Sequence, residues 1–324
     1  MNSTIEELVQ SLTLEEKAGL CSGRDFWRTK AVERLGIPAM MMSDGPHGLR
    51  AQKPGSSLPN DSIEAVCYPA GCAAAASFDP TLTRRMGAAL GREARAAGVQ
   101  MVLGPAINIK RSPLCGRNFE YYSEDPFLAG ELAAAFIQGV QGEGVAACPK
   151  HFAANNQETR RLTVDSRLDE RTLHEIYLPA FETAVREGRP WSLMCSYNRV
   201  NGVYASEHRQ LLTELLRDSW MPGSGGVNDA RLVEAVRSGA LDEAALDKAA
   251  ARILNIVLRT ADLARVPAEH GAANGHALAV ELAKESAVLL RNLGALPLHP
   301  GQKLAYIGAF AETPRLQGGG SSHV

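Results

Sequence analysis

The chain has 324 residues, 45% hydrophobic and 22% charged, an ordinary globular composition with room for roughly two domains of about 100–200 residues each. A formal net charge of −2 leaves no electrostatic footprint for nucleic acid or an anionic membrane, so neither is an expected partner. No apolar run approaches the ~20 residues of a membrane span. The segment 1–20 is acidic and amphipathic rather than a secretory signal, so the expected location is cytoplasmic.

In chain order, Thr13 with Glu16 forms a capping box at the head of a helix. Short apolar runs follow at Ile37–Met42, Val66–Ala76, Gln100–Ile109, Gly144–Phe152 and Trp191–Tyr197, with helical patterns between them. Asp79-Pro80 and Asp125-Pro126 each set a capping carboxylate before a proline at the first helical position. Gly188 is placed to end the helix that begins near Asp169. The stretch LLTELLRDSW (211–220) is an amphipathic helix that runs straight into the turn MPGSGG. Alternation of this kind predicts an α/β fold with a largely parallel sheet, either closed as a barrel or open and doubly wound.

A polar, Ala- and Gly-rich stretch over 262–275 reads as a linker. It separates a first unit, 1–261, from the opening of a second α/β domain, 276–324, with a helix at His276–Arg291 and a buried strand at Lys303–Phe310. Cys21, Cys67, Cys72, Cys115, Cys148 and Cys195 include no CxxC pair and are read as reduced core thiols. Their spacing fits no zinc site, and neither metal nor cofactor is expected.

The strand ends carry the chemistry. Ile37–Met42 runs into Ser43-Asp44, Gln100–Ile109 leads on to Arg117 and Glu120, Gly144–Pro149 delivers Lys150-His151, and Trp191–Cys195 leads to Tyr197. In α/β barrels the active site is built at the carboxyl ends of the strands. Taken singly, each residue has a plainer explanation. Asp44 can fix a turn, Arg117 with Glu120 can be a loop ion pair, His151 a satisfied core histidine, and Met194 and Tyr197 core filling. Convergence of the strand ends favours a site. Carboxylate, guanidinium, ammonium and imidazole together suit the vicinal hydroxyls of a sugar, at about 1.5–3 kcal/mol per charged hydrogen bond. Phosphate is the competing ligand, but no Gly-rich loop of Walker or dinucleotide type follows any strand.

The motifs SDGPHGLR (43–50), GRNFEYYSEDP (116–126), KHFAANNQE (150–158) and MCSYNRVNG (194–202) resemble β-glucosidases of glycoside hydrolase family 3. The similarity continues through LLTELLRDSW, MPGSGGVNDARLVEAV, SAVLLRN and QGGGSSHV, essentially the whole chain. The resemblance implies a TIM-like (β/α)8 barrel followed by an α/β sandwich domain. It also implies retaining hydrolysis of terminal β-linked sugars, with small β-glucosides or oligosaccharides as substrates. By motif, Asp44 would grip the distal hydroxyls, Arg117, Lys150 and His151 the others, while Met194 and Tyr197 line the floor. The KHFAANN form differs from the KHFPGHG of the family's β-N-acetylhexosaminidases, which disfavours an amino sugar.

The resemblance also exposes a gap. In the family, the helix ending like LLRDSW is followed by a buried strand and a Ser-Asp-Trp whose aspartate is the nucleophile, and only later by MPGSGG. Here Trp220 joins Met221 directly, and Asp218 sits on the helix tail rather than at a strand end. The barrel is therefore expected to lack about one βα unit, given roughly 250 residues over eight units. The family's acid/base glutamate is expected beyond Val324, so no catalytic residue is assigned. Glu120 and Asp229 are spare carboxylates with nothing to place them at the sugar. Negligible glucosidase activity is expected, the alternatives being a sugar-binding relic or an inactive fragment. Barrel edges left open by the gap would favour homo-oligomers.

Overall fold

The computed structural model describes residues 4–53, 55–56, 61–220, 229–261, 272–314, 317–318 and 322–324. The chain opens with α1 (Ile5–Ser11) and α2 (Leu14–Leu20), capped by the boxes Thr4/Glu7 and Thr13/Glu16. β1 (Met42–Asp44), α3 (Gly71–Ala75), α4 (Pro80–Ala96), β2 (Met101–Leu103), α5 (Pro126–Gly142), β3 (Ala146–Ala147) and β4 (Lys150–Phe152) follow. Strands β1, β2 and β3 are hydrogen-bonded in that order, all parallel. β4 pairs in parallel with β6 (Met194–Cys195), Lys150 standing opposite Met194, and a parallel bridge from Ala106 to Lys150 ties the two groups together. Pro46, Pro105 and Pro149 punctuate this ladder and keep the strands short, because proline has no N–H to donate. The result is an α/β fold of TIM-like barrel type, although the strand pairing does not close among the described residues.

Helices α4 and α5 cover one face. Asp79 accepts from the N–H groups of Thr81 and Leu82, and Asp125 from those of Phe127 and Leu128, each just ahead of the expected proline. The two helices touch backbone to backbone, since a Cβ on Gly139 would lie 2.2 Å from the Arg84 carbonyl oxygen. Side chains alternate across the strands as the pleat requires. Val102, Val145 and Ala147 join the α4/α5 core, whereas Met40, Met101, Ala146 and Cys148 face the other way. There they pack on Val9 and Leu12 at α1 and on Ala250, Leu254 and Val257 of α9 (Glu243–Thr260). Helices thus contribute to the cores on both faces of the strands.

β5 (Asp165–Ser166) pairs in parallel with β7 (Arg199–Val200), which turns through Asn201-Gly202 into antiparallel β8 (Val203–Tyr204). Both turn residues have positive φ, the Asn-Gly preference of a tight hairpin. Between β5 and β6 the chain is helical, with α6 (Glu170–Thr172) and α7 (Pro179–Thr183) interleaved with π-helical turns at Leu173–Tyr177 and Ala184–Gly188. It stops at Gly188 as expected, but the left-handed residue that breaks it is Arg189. Gln210–Trp220 is π-helical, Trp220 lies edge-on to Phe152, and α8 (Asp229–Arg237) precedes α9. No helix among the described residues is long and apolar enough to cross a membrane.

Several expectations need correction. The run 66–76 is not a strand. Its alanines form α3, and the segment before it is anchored by Glu93, which accepts from the Val66 N–H and the Tyr68 hydroxyl. Only Cys148 of the six cysteines is buried, and Cys67 and Cys72 are exposed, so most are not core thiols. The C-terminal helix, α10 (Ala272–Glu285), starts earlier and ends earlier than His276–Arg291. Its Leu278 and Leu282 join the core built by α4. Lys303–Phe310 is not a strand: Tyr306 and Ile307 are 80% and 89% exposed, and α11 (Ala309–Glu312) begins inside it. No described strand lies alongside to accept its backbone, and an unpaired strand has no ladder to form. The turn 221–228 and most of the 262–275 linker fall outside the described residues.

Burial of α9 in this core has a measurable consequence. Leu254→Ala should cost about 2–5 kcal/mol in chemical denaturation, the range for a buried leucine truncation, because Leu254 is fully buried in this layer.

Candidate active site

Four of the six residues singled out from sequence converge. Asp44 ends β1, and its carboxylate accepts from Lys150 Nζ at 2.5 Å and from Arg50 Nη1 at 3.1 Å. Lys150, on β4, also lies 3.5 Å from Glu120 Oε2. Arg117, on the loop between β2 and α5, donates from Nε to Glu120 Oε1 at 2.5 Å and from Nη2 to His151 Nε2 at 2.7 Å. The Arg117–Glu120 pair is local in sequence, yet neither side chain exceeds 10% exposure, so it is no surface ion pair. His151 is indeed a satisfied core histidine and also part of the cluster. With Nε2 accepting from Arg117, Nδ1–H donates to Asn108 Oδ1 at 3.2 Å, which assigns the neutral tautomer. Asn108 further accepts from the His151 N–H and donates to its carbonyl, both at 2.8 Å.

Met194 stands opposite Lys150 across the β4/β6 pair, and neither Met194 nor Tyr197 joins the ion-pair network. Met194 is half-buried and packs against the core shared by α1, α9 and the strands. Tyr197 is half-exposed, with the Arg161 guanidinium 4.9 Å above its ring. Arg161 is itself held by Glu158 at 3.1 Å. Asp218 is exposed on its helix tail, and the side chain of Asp229 lies outside the described residues. Glu120, by contrast, is buried at the centre.

Sequence reasoning left out Arg50 and Asn108 and gave Glu120 no place. Arg50 closes the same eight-residue motif as Asp44, and Asn108 is a lone polar residue within an apolar run, so both carried a signal. Arg161 carried none, because one more arginine in a charged loop is unremarkable until Tyr197 is seen beneath it.

Electrostatics keep the cluster ionised. Burial alone would raise the Asp44 carboxyl pKa, but the charge of Lys150, assisted by Arg50 and Arg117, holds it below the usual range. Burial would lower Lys150, and the Asp44 and Glu120 carboxylates more than compensate. His151 is held well below an ordinary imidazole by burial and then by Arg117 and Lys150. Two buried atoms, Arg117 Nη1 and Glu120 Oε2, have no hydrogen-bond partner. Glu120 Oε2 still faces the Lys150 ammonium at 3.5 Å, so the Arg117 N–H is the donor left over, and a hydroxyl oxygen could accept it. Among the described residues no group of three or more His, Cys, Asp or Glu side chains is placed to hold a metal ion.

Residues 8–228 match the family described as Glycosyl hydrolase family 3 N terminal domain. The chain belongs to glycosyl hydrolase family 3. It is 50% identical to the thermostable beta-glucosidase B of Acetivibrio thermocellus over 99% of this chain and 46% of that relative. It is 43% identical to an exo-alpha-(1->6)-L-arabinopyranosidase of Bifidobacterium longum over 100% and 48%. The structure superposes on beta-glucosidase 3B of Thermotoga neapolitana in complex with glucose with a TM-score of 0.91 and 35% identity, covering 99% of this chain and 52% of that one. The GH3 beta-glucosidase of Bifidobacterium adolescentis gives 0.88 and 41%, covering 96% and 49%. This family 3 chain therefore spans about half the length of the relatives it matches. The Acetivibrio alignment runs over 350 positions against 324 residues, so at least 26 positions of that relative face no residue here.

The buried imidazoles set a pH dependence. His151 and His47 both have lowered pKa values, burial being the main cause for each. Unfolded histidine titrates near pH ~6.5, so their contribution to stability is complete above that value and is lost as pH falls toward the folded pKa. Thermal unfolding followed from pH 7.5 to 5.5 should show falling stability, with a shallower slope in His151→Gln.

Proposed function

We propose that the cluster around Asp44, Arg117, Lys150 and His151 binds the terminal non-reducing sugar of a β-linked glycoside. In this reading the chain carries the sugar-holding part of a retaining β-glucosidase-type site and does not cleave the bond. The observation that carries the proposal is the buried, ion-paired network at the carboxyl ends of parallel strands, with a donor on Arg117, Nη1, left without a hydrogen-bond partner. Charged groups taken out of water in this way bind hydroxyls tightly and penalise ligands that lack them. Relatives named as a beta-glucosidase and as an arabinopyranosidase support a pyranose of modest size without choosing between sugars. Met194 and Tyr197 form the floor and rim in the same reading.

Retaining hydrolysis needs two carboxyl groups about 5–5.5 Å apart, one of them free to attack the anomeric carbon. Both carboxylates of the cluster are engaged, Asp44 by Lys150 and Arg50, Glu120 by Arg117 and Lys150. A nucleophile segment missing between Trp220 and Met221 accounts for this, and the 26 or more unmatched positions of the Acetivibrio relative agree with about one absent βα unit. The division into a barrel at 1–261, a linker at 262–275 and the start of a sandwich domain at 276–324 belongs to the same proposal. So does self-association, which the exposed Leu290, Leu293, Tyr306 and Ile307 would drive.

Titration calorimetry should register glucose binding to the full chain. Asp44→Asn should weaken it about ten- to a hundredfold, the loss of one charged hydrogen bond, with circular dichroism as the control for folding. The same protein should not turn over an aryl β-glucoside, and ordinary turnover would refute the non-cleaving reading.

A further inference from the structure

The chain folds back onto the motif that carries Asp44. Residues 44–50 form a closed loop, in which the Arg50 N–H donates to the Asp44 carbonyl at 3.0 Å and Arg50 Nη1 to the Asp44 carboxylate at 3.1 Å. The turn is so tight that a Cβ on Gly45, at φ 131°, would collide with the Gly48 carbonyl oxygen. The segment 322–324 packs against this loop at His47, Gly48 and Arg50. Arg50 Nε donates to the His323 carbonyl at 2.8 Å, and His47 is hydrogen-bonded to the Ser322 backbone. A Cβ on Gly48 would lie 2.7 Å from Val324 Cγ1, and Ser322 is itself buried.

One guanidinium is therefore anchored twice, at Nε by His323 and at Nη1 by Asp44. A planar fork held at two of its nitrogens has a fixed orientation, whereas an arginine held at one keeps more of its side-chain freedom. The Arg50 side chain is only 6% exposed, so without the His323 carbonyl its Nε–H would lose an acceptor away from bulk water. The group would then turn to recover one. Asp44 feels that turn directly, because Lys150 holds one oxygen of its carboxylate and Arg50 the other. Arg50 thus sets the angle at which the carboxylate faces a ligand.

Resting on the glycone-binding reading above, we propose that the backbone of 322–324 is a positioning element for Asp44. It locks Arg50, and through Arg50 the carboxylate that grips the sugar. Sugar binding and docking of this segment are then coupled, and the coupling is reciprocal: the factor that docking adds to sugar affinity, a bound sugar adds to docking. Affinity at the buried cluster depends in this way on a carbonyl 273 positions along the chain from Arg50.

Titration calorimetry with glucose on the full chain, on a variant lacking 322–324, on Arg50→Lys and on the combined variant tests this, with circular dichroism as the folding control. Deleting 322–324 should weaken glucose binding about tenfold, the equivalent of one charged hydrogen bond. In the Arg50→Lys background the same deletion should change nothing further, because a lysine has no planar fork to span both anchors. In the intact chain, bound glucose should slow amide hydrogen exchange at 322–324, a readout that needs no variant to fold. Glucose affinity that survives the deletion, a loss of equal size in Arg50→Lys, or exchange unchanged by bound glucose overturns the positioning role alone. Absence of glucose binding by the wild type overturns the glycone reading and this inference with it.

Discussion

Charges removed from water must be paired, and that constraint organises this protein. Asp44, Lys150, Glu120 and Arg117 form a chain of alternating sign with side chains no more than 13% exposed. Removing one partner from such a network typically costs about 3–5 kcal/mol, because the survivor is left buried and uncompensated. The network therefore joins its supports. β1 brings Asp44, β4 brings Lys150 and His151, and the loop before α5 brings Arg117 and Glu120. Asn108 adds a neutral clamp by bonding both the ring and the backbone of His151.

The supporting scaffold is tight on one side and rebuilt on the other. Gly87 and Gly139 let α4 and α5 approach until backbone meets backbone, and these helices fix the outer face of the strands. On the other face, α1 and α9 share a core with Met101, Ala146 and Cys148. The same parallel strands can thus hold the cluster in place without a complete ring of hydrogen bonds. Both carboxylates of the cluster are occupied in holding cations.

Past α10 the situation reverses. From Val288 to Phe310 large apolar side chains stand in water, among them Leu290 at 92% exposure. Their sequence has the apolar character of buried strands, but burial requires neighbours, and none is present among the described residues. The relatives are about twice as long as the stretch matched here.

Local chemistry was readable from sequence because its causes are local. Asp79-Pro80 and Asp125-Pro126 cap the helices they precede, and Thr13 and Glu16 close a box within one turn. The motifs also named Asp44, Arg117, Lys150 and His151, since polar residues at the ends of apolar strands have few places to go. What the tertiary structure decided depends on distance between chain-remote groups. Whether Glu120 was spare or central, whether Asn108 fixed a tautomer, and whether Arg161 covered Tyr197 were questions of contact across 30 or more residues. The failures at 66–76 and 303–310 have the same origin, for an apolar run is a strand only when another strand lies beside it. Sequence determined which groups could be charged, capped or apolar; packing alone determined which of them met.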